Sequence, residues 1–217
     1  MNKILQITER DVLIAVDVQY DFCPGGRLSV PRGDEVIRPI NEIARHFQHV
    51  IITQDWHPPG HLSFASSHPG RQPYEIIEVF YGPQVLWPDH CVQGTPGAQL
   101  RDELDIPHAE LILRKGYHKN IDSYSAFFEN DRKTPTGLAG YLRERGLERA
   151  FFAGLAFDFC VRYSVEDATR IGFPAVVIED ACRAIDVNGS LQETRRSFAE
   201  LGVHVVTTED IKAAQAK

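Results

Sequence analysis

The chain has 217 residues, 43% of them hydrophobic and 24% charged, with a formal net charge of −7 at pH 7. That length supports one sizeable α/β core, and that composition is typical of a globular chain. Net negative charge without a basic run argues against a nucleic-acid surface, and no stretch of about 20 apolar residues offers a membrane span.

The N-terminal segment, Met1 to Asp11, lacks a signal peptide's apolar core and cleavage site, so a cytoplasmic protein is expected. The first apolar run, Val12 to Val16, ends at Asp17. Short unbroken apolar runs predict strands buried on both faces, as in parallel sheets. A carboxylate at the end of such a strand is costly unless paired or functional. Asp34 to Phe47 has apolar residues at 36, 37, 40, 43, 44 and 47, a helical period. Val50 to Thr53 is the second strand candidate and ends at Asp55.

From Asp55 to His108 the rhythm breaks into a stretch rich in proline and glycine. Loops this long in a compact domain are usually functional or partly structured. Asp55 and His57 are two apart, so an extended segment points both to one side, and His61 and His90 can reach that side from loops. Carboxylate and imidazole together suit a divalent transition metal such as Zn, Fe or Mn. The competing reading is a set of ordinary loop histidines.

Leu111 to Leu113 is a third strand, leading into Arg114 and Lys115. Thr136 to Arg145 reads as a helix with Thr136 as N-cap and Gly146 as its stop. Ala150 to Ala153 is a strand ending at Gly154, and Asp158 to Ile171 is a helix with Cys160 just inside its start. A helix N-terminus favours a thiolate, and the backbone N–H groups near Ala156 can face a bound carbonyl. Cys160 reads equally well as a buried structural thiol. Ala175 to Ile178 is the next strand, Ser190 to Leu201 a helix stopped by Gly202, and Val203 to Val206 a weaker sixth strand. This alternation predicts an α/β fold, a doubly wound, mainly parallel six-stranded sheet flanked by helices.

Ligands of such sheets bind outside the carboxyl ends of the strands. Asp17, Asp55, Lys115 and the turn before Cys160 all fall there. An aspartate can take the thiol proton while a lysine holds the thiolate's charge. The alternative is a structural Asp17–Lys115 pair. Phe22, Trp87 and Tyr124 lie close in sequence to these groups and can wall a small flat substrate, or simply belong to the core. Cys23, Cys91, Cys160 and Cys182 show no C-x-x-C spacing and are expected to be free thiols.

These residues carry a resemblance from about Ala15 to Ala184. Ala15-Val16-Asp17-Val18-Gln19 with Asp21-Phe22-Cys23-Pro24-Gly25-Gly26, then Thr53-Gln54-Asp55-Trp56-His57 with Gly60-His61 and Ser63-Phe64, stand in order. Trp87-Pro88-Asp89-His90-Cys91-Val92, Lys115-Gly116, Asp122-Ser123-Tyr124-Ser125-Ala126-Phe127 and Gly154-Leu155-Ala156-Phe157-Asp158-Phe159-Cys160-Val161 follow. The chain resembles the nicotinamidase (pyrazinamidase) family of the isochorismatase-like cysteine hydrolases. The resemblance implies a single isochorismatase-like domain over 1–217, with 55–108 as a metal- and substrate-binding loop insertion. It implies hydrolysis of nicotinamide to nicotinate and ammonia through a thioester, in NAD salvage. Cys160 would be the nucleophile, Asp17 the base and Lys115 the third triad member. Asp55, His57 and His90 would ligate one divalent ion, with His61 a ligand in only some relatives. The Leu155–Ala156 bond is expected to be cis, with the N–H groups of Ala156 and Cys160 forming the oxyanion hole. Phe22, Trp87 and Tyr124 match the ring-binding wall. Tyr20 and Phe159 depart from residues common in relatives, at positions without an assigned role. No nucleic-acid or membrane partner is expected, and a second copy of the chain is left open. An amidase for another small amide, or a non-catalytic metal- or redox-sensing protein, is the alternative.

Overall fold

The computed structural model of the chain describes residues 5–216. The first four residues of the N-terminal segment read above lie outside that range. Six parallel strands form the central sheet: β1 (Asp11–Val16), β2 (His49–Asp55), β5 (Leu111–Lys115), β6 (Arg149–Gly154), β7 (Ala175–Cys182) and β8 (His204–Val206). Their order is β5-β2-β1-β6-β7-β8. All five neighbouring pairs run parallel. The remaining two strands, β3 (Ile76–Val79) and β4 (Gly82–Val85), make a separate antiparallel hairpin.

Period-two alternation assigns the core strands to two faces. Leu13, Ala15, Val50, Ile52, Phe151 and Ala153 pack with Ile40 and Ile43 of α1 (Ile37–Ala44) and Ile211 of α5 (Thr208–Gln215). Val12, Ile14, Ile51, Ala150 and Phe152 pack with Leu142 of α2 (Leu138–Glu144), Val165 of α3 (Arg162–Arg170) and Phe198 of α4 (Ser190–Leu201). The sheet is therefore doubly wound. Its strand order reverses between β1 and β6, which opens the crevice where α/β sheets bind ligands.

Several elements differ from the sequence expectation. β5 and β8 sit at the sheet edges and are not buried on both faces; Ile112 is 52% exposed. The helix expected over Asp34–Phe47 is a 3-10 turn, Gly33–Val36, followed by α1. Pro39 is tolerated in α1 because it stands in the first turn, where no intrahelical N–H bond is lost. Thr136 is not the N-cap of α2; Gly137 is, with φ 97°. Thr136 sits one residue earlier, donating its hydroxyl to the Ala126 carbonyl at 2.6 Å. The helix expected from Asp158 begins instead with a π-helical turn, Phe157–Val161, before α3. α5 and the hairpin were not anticipated, although Thr207 and Asp210 form a reciprocal capping box at the start of α5. Among the described residues no helix is long and apolar enough to cross a membrane.

Candidate active site

Three side chains meet at the crevice between β1 and β6. Asp17 follows β1, Lys115 ends β5, and Cys160 sits in the π-helical turn after β6. π-helical turns are frequent at functional sites because they re-aim side chains within a helix. The Lys115 Nζ lies 2.8 Å from Asp17 Oδ2, 2.9 Å from Asp55 Oδ1 and 3.4 Å from Cys160 Sγ. It also donates to the Ser123 carbonyl at 2.9 Å. Asp17 Oδ1 accepts the Thr53 hydroxyl at 2.6 Å, while Oδ2 has no well-aligned hydrogen-bond donor. That oxygen faces an ammonium and keeps a lone pair for a proton. Asp17 and Lys115 are essentially inaccessible, and Cys160 is 6% exposed.

The electrostatics of this group follow from its burial. Desolvation pushes the Cys160 thiol well above its usual range, and the carboxylates of Asp17 and Asp55 add to this against the pull of Lys115. The thiolate expected from a helix N-terminus is thus not the resting form: burial outweighs a partial dipole charge. Desolvation likewise raises Asp17, opposed by the charge of Lys115. Burial would discharge Lys115, but Asp17 and Asp55 overcome it and keep the ammonium. The site holds a thiol beside a proton-avid carboxylate and a fixed cation, the makings of a nucleophile charged by local proton transfer.

Asp55 belongs to a second group. Its Oδ2 lies 2.9 Å from His57 Nε2 and 3.5 Å from His90 Nε2. His57 Nδ1 is 2.9 Å from the Gly116 carbonyl, and His90 Nδ1 is 2.8 Å from the Pro88 carbonyl. Each Nδ1 must carry its proton to make those bonds, which leaves both Nε2 lone pairs facing a carboxylate oxygen. Such an arrangement repels unless a cation or further protons lie between. The donor set therefore fits a divalent ion. These three residues place their ligand atoms within 4.8 Å of one another.

His61 is differently wired. It neighbours His57, with ring centroids 4.3 Å apart, and groups with His57 and Asp122. Its Nδ1 accepts from the Ser63 N–H at 3.3 Å, and its Nε2 sits 3.0 Å from the His118 carbonyl and 3.2 Å from that of Ile121. Both ring nitrogens are engaged by protein. Burial pushes His61 down to about 4, so its ring is neutral at pH 7.

Gly116 makes the histidine side sterically feasible. Its φ is +68°, and a Cβ there would lie 2.6 Å from His57 Cε1. Gly154, φ +123°, passes so close to β1 that a Cβ would meet the Val16 carbonyl oxygen at 2.2 Å. Gln19 joins β1 to β2 beyond their last pairing: its Nε2 donates to the Asp55 carbonyl at 2.8 Å and its Oε1 accepts the Asp55 N–H at 2.8 Å.

A cleft lies over these groups, lined by Asp55, His90, Asp122, Ala156 and Cys160 and walled by Phe22, Leu28, Trp87, Tyr124, Phe159 and Ile185. The three aromatic residues singled out from the sequence thus all line this cleft. Trp87 Nε1 donates to the Tyr124 hydroxyl at 3.0 Å, and Gln84 donates to the same oxygen at 3.0 Å. Phe159 stands edge-on to Trp87 and Tyr124, with centroids at 4.8 and 5.6 Å. The sequence departure at Phe159 therefore does touch the site, whereas Tyr20 lies under the Arg101 guanidinium and is not in the cleft lining. The Leu155–Ala156 peptide is cis, and the Ala156 N–H has no hydrogen-bond partner among the described residues. Asp122, Leu28 and Ile185 were missed by sequence reasoning. Asp122 stood in a matched motif and carried a signal; the two aliphatic residues carried none.

The chain is similar to several known proteins over most of its length. A model of the isochorismatase domain matches residues 11–210. The nicotinamidase of Acinetobacter baylyi is 54% identical over 199 residues, covering 92% of this chain and 93% of that protein. A solved nicotinamidase/pyrazinamidase of Acinetobacter baumanii aligns with a TM-score of 0.93 at 50% identity, over 94% of this chain and 99% of that one. The pyrazinamidase of Pyrococcus horikoshii, solved in complex with zinc, aligns with a TM-score of 0.74 at 32% identity, over 91% of this chain and 99% of that one.

Proposed function

The chain belongs to the isochorismatase family, and on that premise we propose that it is a nicotinamidase, hydrolysing nicotinamide to nicotinate and ammonia in NAD salvage, with pyrazinamide as a further substrate. The observation that carries this reading is one lysine nitrogen within 2.8, 2.9 and 3.4 Å of Asp17, Asp55 and Cys160. Asp55 extends that group to two histidines whose free nitrogens face it. In this assignment Asp17, Lys115 and Cys160 are catalytic, and Asp55, His57 and His90 hold one divalent ion, Zn, Fe or Mn. His61 supports that end of the site and becomes a ligand only by giving up its bonds to backbone. When bound, the ion would supply a Lewis acid that helps hold and polarise the substrate.

Phe22, Trp87 and Tyr124, joined by Phe159, hold the ring flat. The amide carbonyl points at the N–H groups of Ala156 and Cys160, which take up negative charge as it develops. Asp17 accepts the Sγ proton while Lys115 stays cationic beside the sulfur. The sulfur–carbon bond forms, the carbon–nitrogen bond breaks, and Asp17 returns its proton to the nitrogen as ammonia leaves. Water then attacks the thioester carbon, giving a proton to Asp17. The carbon–sulfur bond breaks, Asp17 returns its proton to sulfur, and the nicotinic acid formed gives its remaining acidic proton to solvent and leaves as nicotinate. Residues 1–217 act as a single domain with 55–108 as its metal- and substrate-binding insertion. The cytoplasm suits its four free thiols.

The test is ammonia release from nicotinamide with and without a chelator. Turnover should fall on chelation and return with added divalent ion. Metal-loaded protein that releases no ammonia would overturn the reading.

A further inference from the structure

Asp158 stands two positions before the nucleophile and is 1% exposed, yet it has no part in the chemistry above. Both of its carboxylate oxygens accept hydrogen bonds. Oδ1 accepts the Ile185 N–H at 3.0 Å, and Oδ2 accepts the Asp186 N–H at 2.8 Å and the Ser190 hydroxyl at 2.5 Å. Three donors meet a buried carboxylate whose isolation would be costly. The Phe157 N–H adds a parallel tie, donating to the Arg183 carbonyl at 2.8 Å. Both ties join the turn that carries Cys160 to a single segment. That segment places Ile185 on the cleft wall and passes through two left-handed residues, Asp186 at φ 58° and Asn188 at φ 53°.

We propose that Asp158 is a positioning residue that couples the nucleophile turn to the substrate wall, holding the Cys160 sulfur and Ile185 in one register. An asparagine in its place keeps one acceptor oxygen and turns an N–H donor toward backbone N–H groups, so the register loosens without loss of volume. The identity of the guest rests on the nicotinamidase reading; the coupling of Cys160 to Ile185 does not.

The test compares metal-loaded full-length wild type with Asp158→Asn and Ser190→Ala. The readouts are kcat and KM for nicotinamide, the iodoacetamide alkylation rate of Cys160 mapped by mass spectrometry, and the melting temperature. Asp158→Asn should lower kcat by about 100-fold, the scale of an ångström-sized misplacement. It should also raise KM and change the Cys160 alkylation rate at fixed pH. Ser190→Ala, removing one donor of three, should move KM and the alkylation rate the same way by less. A folded Asp158→Asn with wild-type kcat, KM and alkylation rate overturns the proposal, even if it melts earlier. Should Asp158→Asn not fold, Ser190→Ala decides: unchanged KM and alkylation rate refute the coupling. If wild type releases no ammonia from nicotinamide, the functional reading fails, while the alkylation rates still decide the role of Asp158.

Discussion

The thiol side of the cleft stands on strand ends, whereas the histidine side hangs from a long loop. Asp17 and Lys115 are placed by sheet register, and Cys160 follows a strand that pairs with β1 along its whole length. His57 and His90 are aimed by single backbone carbonyls, those of Gly116 and Pro88. Asp55 alone belongs to both, ending β2 while giving one oxygen to Lys115 and the other to the histidines. The thiol side thus draws its precision from cooperative sheet formation and should keep its geometry without an ion. The histidine side presents lone pairs to a carboxylate and depends on what lies between them.

The largest expected effect separates the two sides. Cys160→Ala should lose turnover by about 10³-fold or more while retaining metal, as read by steady-state assay and elemental analysis. Retained ammonia release would reject the covalent route. Next, His57→Ala should lower metal content and substrate affinity together. His61→Ala should spare metal relative to His57→Ala, because both nitrogens of His61 are engaged by protein. Equal metal loss in the two variants would erase the distinction drawn between these rings. Gly116→Ala brings a φ of +68° and a clash with His57, and should cost about 1–3 kcal/mol in a thermal melt with reduced metal binding. Gly94→Ala is its control: φ is +77°, but nothing lies within 4 Å of the added Cβ.

The smallest effect is a pH limb. Asp17 works as a base only when ionised, and burial raises its pKa above the ordinary 3.8. Activity should therefore fall with decreasing pH at a value above 3.8. The raised pKa also has a stability sign: the protonated carboxyl is the form favoured by burial. That contribution is present below the unfolded value and is lost as pH rises through the folded one. An acid limb of kcat/KM at or below 3.8 would contradict the burial argument, and a pH–rate profile checks it.

Much of this was legible in the residues. All six apolar runs are strands of one sheet, because an unbroken apolar run has few other fates in a chain of this length. The edge positions of β5 and β8 were not legible, since burial depends on what lies beside a strand and not on its own residues. The π-helical form of the first turn at Asp158 is not encoded locally for a similar reason. Periodicity describes α3 well, but the π-helical turn before it is held by long-range bonds to Arg183, Ile185 and Ser190. Nothing local to Phe159 marks it as a site residue; only packing against Trp87 and Tyr124 brings it to the wall.

By itself the sequence determined the alternation of strands and helices and the chemical types available at the strand ends, because hydrophobic period and residue identity are local properties. Tertiary structure decided which hydrogen bond each imidazole makes, how Asp55 divides its two oxygens, and whether the Cys160 proton stays on sulfur. Those outcomes depend on carbonyls, charges and solvent exclusion contributed by residues distant in the chain. Elementary electrostatics makes them sensitive to ångström-scale distances that no local pattern encodes.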